Sequence, residues 1–93
     1  MEKVLNCNIL TPNGEVFKGN VTGVQVQGTL GSFEVLFNHA PVISSLDPGR
    51  IVLRTPEGDK VFPSGKGVIE VFKNKVIILV EEIPGDQPSS TQE

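Results

Sequence analysis

An all-β fold, a two-layer antiparallel β-sandwich of about nine to ten strands, is what this chain of 93 residues predicts, and three observations carry the prediction. Val and Ile supply 20 of the apolar residues while Ala occurs once, as Ala40, so the apolar set is made of side chains that lose rotamer freedom in a helix and pack well on a pleated sheet. Ten Gly and seven Pro interrupt the chain, which leaves short runs that suit strands and little uninterrupted length for helices. Within those runs apolar and polar residues alternate with a period of two.

The elements follow in order. Leu5, Cys7 and Ile9 alternate with Asn6 and Asn8 across Val4 to Thr11, which predicts a half-buried strand with Cys7 in the core. Thr11-Pro12-Asn13-Gly14 supplies a fixed φ and a glycine for positive φ, so the chain turns and returns as Glu15 to Lys18. Thr22-Val24-Val26 and Phe33-Val35-Phe37 flank Gly28-Thr29-Leu30-Gly31 and predict a second hairpin. After Asn38-His39-Ala40-Pro41 comes a short strand over Val42 to Leu46, closed by Asp47-Pro48-Gly49, and then a strand around Ile51 and Leu53 that ends at Thr55-Pro56-Glu57-Gly58-Asp59. Lys60 to Phe62 is expected to stop at Pro63. Val68 to Phe72 turns at Lys73-Asn74 into Val76 to Val80, whose unbroken apolar run predicts burial on both faces. Strands at this spacing need a second layer, because a lone sheet would leave an apolar face wet. Residues 1–83 form the expected domain; from Pro84 to Glu93 no apolar anchor occurs, and residues 84–93 are expected to be a flexible tail.

A net charge of −3 gives no electrostatic reason to approach nucleic acid or an anionic bilayer, and the absence of Trp and Tyr removes most stacking platforms. A single cysteine excludes an intramolecular disulfide, no secretory leader opens the chain, and the longest apolar run falls far short of a membrane span, so the protein is expected to be intracellular, soluble and monomeric when isolated.

Chemistry is sparse. His39 is the sole histidine, which leaves a Cys7 and His39 pair without further metal ligands. Ser44 or Ser45 with His39 and Asp47 would be the material for a small hydrolase, but no Gly-x-Ser-x-Gly elbow is present. Gly28-x-x-Gly31 and Gly65-x-Gly67 open no helix and read as turn glycines rather than phosphate loops. Glu81 and Glu82 are adjacent on a strand and point to opposite faces. No cofactor is expected, and such a sandwich serves by presenting a surface to a partner.

The block Gly31-Ser32-Phe33-Glu34-Val35-Leu36-Phe37-Asn38-His39-Ala40-Pro41, followed by Leu46 and Pro48-Gly49, resembles the epsilon subunit of bacterial and chloroplast F-type ATP synthases. The opening Ile9-Leu10-Thr11-Pro12-x-Gly14-x-Val16-Phe17-x-Gly19, the Val24-x-Val26-x-Gly28 segment and the closing Gly67-Val68-Ile69-Glu70-Val71-x-x-Asn74-x-Val76-x-x-Leu79 match in the same order, so the likeness covers residues 4–82. Ser32 stands where the family commonly has an acidic residue, and Lys66 separates two glycines that are often adjacent there.

The resemblance implies the amino-terminal β-sandwich of that subunit, without the helical hairpin that ordinarily follows it and carries regulation. It implies a non-catalytic central-stalk rotor subunit that links the gamma subunit to the membrane c-ring and couples proton translocation to ATP synthesis. The place would be peripheral, on the cytoplasmic face of the bacterial inner membrane, or the stromal face of the thylakoid in a plastid. It further implies a gamma-subunit interface at Thr11, His39 and Ser44, and on the opposite surface a c-ring interface at Thr29, Leu30, Gly31 and Ser32. The residues alone equally allow His39 as a turn histidine bonded to nearby backbone, and the whole chain as a generic intracellular interaction module.

Overall fold

A computed structural model describes residues 3–81, and every regular element among them is a strand. In chain order these are β1 Leu5–Thr11, β2 Gly14–Val21, β3 Gly23–Gly28, β4 Gly31–Leu36, β5 Val42–Leu46, β6 Gly49–Thr55, β7 Gly58–Ser64, β8 Gly67–Phe72 and β9 Lys75–Val80. The proposed tail, 84–93, and the boundary at 83 lie outside the described residues.

The hydrogen-bonded order is β2-β1-β9-β8-β5-β3-β6-β7, with β4 flanking β3. The sheet folds over where β5 meets β3, because those strands share one paired position, Gly28 with Leu46. Five strands, β2-β1-β9-β8-β5, thus form one layer and four, β4-β3-β6-β7, the other. The margins β2 and β7 meet through Phe17 and Phe62, whose tilted rings lie 6.2 Å apart. Between the layers Leu5, Cys7, Ile9, Val24, Val26, Val35, Ile51, Leu53, Ile69, Val71, Val76 and Ile78 are fully buried, each at a position that alternation assigns to the inner face.

Local chemistry sets the turns. Three hairpins share one design: two turn residues followed by glycine at positive φ, Gly14 at 126°, Gly31 at 131° and Gly58 at 120°, a conformation that a side chain would strain. The β8–β9 turn places Lys73 and Asn74 at φ 50° and 65°, the left-handed pair a two-residue hairpin requires.

The structure departs from the sequence reading at four places. Val76–Val80 is not buried on both faces: β9 alternates, with Ile77 38% and Leu79 51% exposed, because the second layer covers one side of the sheet only. Pro63 does not stop its strand but pairs with Arg50 inside β7, which is tolerated because β7 is an edge strand whose missing N–H would face outward. β2 continues past Lys18 to Val21, and the Phe17 ring lies over Gly19, covering the backbone that glycine leaves bare. The pairing is antiparallel except for β1 with β9, which run parallel; first and last strands are joined by the whole domain rather than by a hairpin, so nothing fixes their direction locally.

Candidate functional site

Seven residues from β4, β5 and their connections line an open cleft of about 390 Å³: Leu30, Gly31, Ser32 and Phe33 on one wall, His39, Val42 and Ser44 on the other. The wall from β4 begins at the turn Thr29-Leu30, whose tip carries a fully exposed Leu30. That turn is tied to β5 by the Thr29 amide, which donates to the Ser45 carbonyl at 3.1 Å, and by the Thr29 and Ser45 hydroxyls 3.0 Å apart. Alongside, the Asp47 amide donates to the Gln27 carbonyl at 2.9 Å. These bonds tie the turn and β5 to the fold line between the layers.

The other wall is set by the β4–β5 connection. The His39 amide donates to the Leu36 carbonyl at 3.0 Å, closing a turn whose third residue, Asn38, sits at φ 66°. Asn38 is locked in place from across the molecule: its amide donates to Asn74 Oδ1 at 2.7 Å, and Asn74 Nδ2 donates to Asn38 Oδ1 at 3.2 Å. The His39 ring lies with Nδ1 2.7 Å from the Ala40 carbonyl, an acceptor, so Nδ1–H is the donor. Ser44 Oγ donates to the Ser45 carbonyl at 3.1 Å.

The structure therefore brings together His39 and Ser44 with Thr29–Ser32, two groups expected on opposite surfaces. The reason is β5, which leaves the turn at His39 and runs back to meet β3 at the foot of the Thr29-Leu30 turn. Thr11 alone is elsewhere. Its hydroxyl receives the Asn13 amide at 3.1 Å and donates to the Gly14 carbonyl at 3.3 Å, bracing its own hairpin at the edge of a second hollow of about 540 Å³ lined by Leu10, Pro12, Val68 and Leu79.

For acid–base chemistry, the geometry offers His39 bonded to a backbone carbonyl rather than to Asp47. Cys7 is enclosed in the core, and burial pushes its thiol up to about 12. Among the described residues no three His, Cys, Asp or Glu side chains gather in a way that could hold a metal ion.

Sequence reading missed Phe33 and Val42 as walls of the cleft, although their inward parity on β4 and β5 was the available signal. It also missed Arg54. This guanidinium on β6 donates from Nε to Glu34 Oε2 at 3.1 Å, from Nη1 to Asp59 Oδ2 and from Nη2 to Gln25 Oε1 at 3.1 Å, and the Glu34 bond foremost, then Asp59, holds it above its ordinary range.

Comparison with known proteins places this geometry. Residues 4–84 match the family described as ATP synthase, Delta/Epsilon chain, beta-sandwich domain. An ATP synthase epsilon chain of Stenotrophomonas maltophilia is 35% identical over 78 residues, covering 83% of this chain and 56% of that one. A second from Salinibacter ruber is 33% identical over 92 residues, covering 89% and 62%. The chain thus spans little more than half the length of these curated relatives. Among solved structures, a chain in the Euglena gracilis mitochondrial ATP synthase, OSCP/F1/c-ring, superposes with a TM-score of 0.83 at 15% identity, over 94% of this chain and 57% of that one. One in the Tetrahymena thermophila mitochondrial ATP synthase central stalk/c-ring gives 0.75 at 16%, over 99% and 75%. At such identities the likeness concerns the fold. With a family match over nearly all described residues and a nine-stranded sandwich of the same shape, the chain belongs to the ATP synthase delta/epsilon-chain β-sandwich family.

Proposed function

We propose that the chain is a non-catalytic component of the ATP synthase central stalk that joins a gamma subunit to a membrane-embedded c-ring and so helps couple proton translocation to ATP synthesis. It would sit peripherally on the cytoplasmic face of a bacterial inner membrane. The observation that carries this reading is the family match over residues 4–84, and the sandwich contributes what such a role requires: a stiff body with its walls tied by main-chain bonds.

In this reading both partners meet along one cleft. The tip Leu30, with Thr29, Gly31 and Ser32, faces the ring, while His39 and Ser44 on the neighbouring wall face gamma, and Thr11 extends the gamma contact along a different edge. Leu30 is the one large apolar side chain wholly exposed among the described residues, and its burial against a partner is favourable by the hydrophobic effect. Ser32, in place of an acidic residue, makes the ring contact less dependent on salt.

The test is co-expression with a gamma subunit followed by affinity purification. The chain is expected to carry gamma with it, and His39→Ala to weaken capture while the melting temperature stays within about 2 °C of the parent, as for a surface change. A chain that captures no gamma subunit overturns the reading.

A further inference from the structure

Four strands border the two layers. β5 is tied to the other layer through Leu46 and Gly28 and by the Thr29 amide on the Ser45 carbonyl, and of the remaining three, two are guarded against pairing with another chain. β7 carries Pro63 and Lys60, and β2 carries Glu15 and Lys18 and a register break where it faces Ile9 and Leu10. β4 has no proline, lysine or bulge, and among the described residues it pairs with β3 alone. Its sole charged residue, Glu34, already has its carboxylate on Arg54 at 3.1 Å.

The direction of the unpaired groups follows from the register. On β3 the Gln27 carbonyl accepts from Asp47, on the side away from β4, so Gly23, Gln25 and Gln27 turn their main-chain groups from β4 and Val24, Val26 and Gly28 turn theirs toward it. Their partners Val35, Phe33 and Gly31 therefore complete the β3–β4 ladder. The amides and carbonyls of Ser32 and Glu34 point outward at the edge, while the Leu36 carbonyl on the same side is taken by His39. Beside this edge runs the cleft, where an inserted side chain would meet Phe33 and Val42.

We propose that β4 is a β-augmentation site: an extended, uncharged segment of a partner protein pairs with the outward main-chain groups of Ser32 and Glu34 and sets an apolar side chain into the cleft between β4 and β5. Main-chain bonding would supply affinity and the cleft the preference for side chain, as in other strand-addition interfaces. This inference rests on the stalk reading for the source of the strand, the gamma subunit, whose contact at His39 and Ser44 lines the same cleft. It assigns the outward main-chain groups of Ser32 to gamma, leaving the ring contact to Thr29, Leu30 and Gly31.

The experiment compares Glu34→Pro with Glu34→Gln. Both lose the carboxylate held by Arg54, but only proline deletes the outward amide, and it leaves the β3 ladder intact. Glu34→Gln is expected to bind gamma as the parent does, and Glu34→Pro to bind at least about tenfold more weakly, the equivalent of about one main-chain hydrogen bond. Amide exchange in the parent complex provides the second measurement and needs no variant: the Ser32 and Glu34 amides are expected to slow by about tenfold or more on binding. Gamma binding that is indifferent to Glu34→Pro, or that leaves both amides unprotected, overturns the augmentation site and leaves the stalk reading standing. A parent chain that binds no gamma subunit removes both.

Discussion

On the outer face of β4, β3, β6 and β7, Arg54 lies across Gly23 to reach Glu34 on one side and Asp59 on the other; any Cβ at Gly23 would come to 3.0 Å of Arg54 Cγ, Glu34 Oε2 and Leu36 Cδ2. On the outer face of β5, β8, β9 and β1 the corresponding positions hold Ile43, Val68, Ile77 and Leu79, all exposed. One sheet draws part of its surface together with its own ion pairs and amides, with Leu36 and Val61 exposed beside them. The other sets Glu70 between Ile43 and Ile77 but presents Val68 and Leu79 side by side to water, continuous with the hollow beside Leu10. The two faces cover one core, so the difference teaches that apolar character in a strand does not by itself mark the interior: on β9, Val76, Ile78 and Val80 build the core while Ile77 and Leu79, equally apolar, add nothing to it. A contiguous apolar surface is uncommon on a protein that stays alone, whereas single exposed apolar residues are ordinary.

The sharpest separation of the two roles lies within β9. Ile78→Ala removes buried methyl and methylene groups and is expected to cost about 2–5 kcal/mol, whereas Leu79→Ala should change stability by less than about 0.5 kcal/mol. For a domain of this size, each kcal/mol moves the melting temperature by about 4–8 °C, so thermal denaturation resolves the pair. Equal losses at both positions would erase the distinction between the faces of that sheet.

The core beneath both faces has its own signature in alkali. Cys7 is buried with its thiol raised from an ordinary 9.0 to about 12. Above pH 9 the unfolded chain releases this proton while the folded chain keeps it, so stability is intact below pH 9 and falls by about 1.4 kcal/mol per pH unit as pH rises toward 12. Denaturant titrations of the parent and Cys7→Ala between pH 9 and 11 should show the parent losing stability more steeply by that slope. Parallel curves would mean that the thiol is not enclosed.

On the apolar face, Ile77→Ser together with Leu79→Ser should leave the melting temperature nearly unchanged and lower the binding of an environment-sensitive hydrophobic dye to the folded chain. The smallest effect belongs to the opposite face. Arg54→Ala is expected to lower the melting temperature slightly in dilute buffer, with the gap to the parent narrowing as salt is raised, since exposed ion pairs are screened. A gap that is unaffected by salt would assign Arg54 a packing role over Gly23 instead.

Legibility from sequence divides along the same line between local and non-local information. Cys7 in the core, the hairpin glycines Gly14 and Gly31 and the Lys73-Asn74 turn were readable because alternation and backbone chirality act over a few residues. Whether Ile77 is covered depends on how far the second sheet reaches, and whether Pro63 breaks a strand depends on which side has a neighbour, so neither is written near those residues. The cleft is the plainest case. His39 and Leu30 lie nine positions apart with a strand and a turn between them, and only the meeting of β5 with β3 at Leu46 and Gly28 sets their walls face to face. Nor could alternation foresee that Asn38 would be held by Asn74.

Cysteine cross-linking from the two walls of the cleft tests most directly the claim that these walls join two partners. The single native thiol, Cys7, is buried and suppressed, so it leaves an introduced cysteine as the reactive one. In an assembly of the chain with gamma and a c-ring, Leu30→Cys is predicted to cross-link to the ring and Ser44→Cys to gamma. Cross-links from both positions to the same subunit, or from neither to any, would contradict the account.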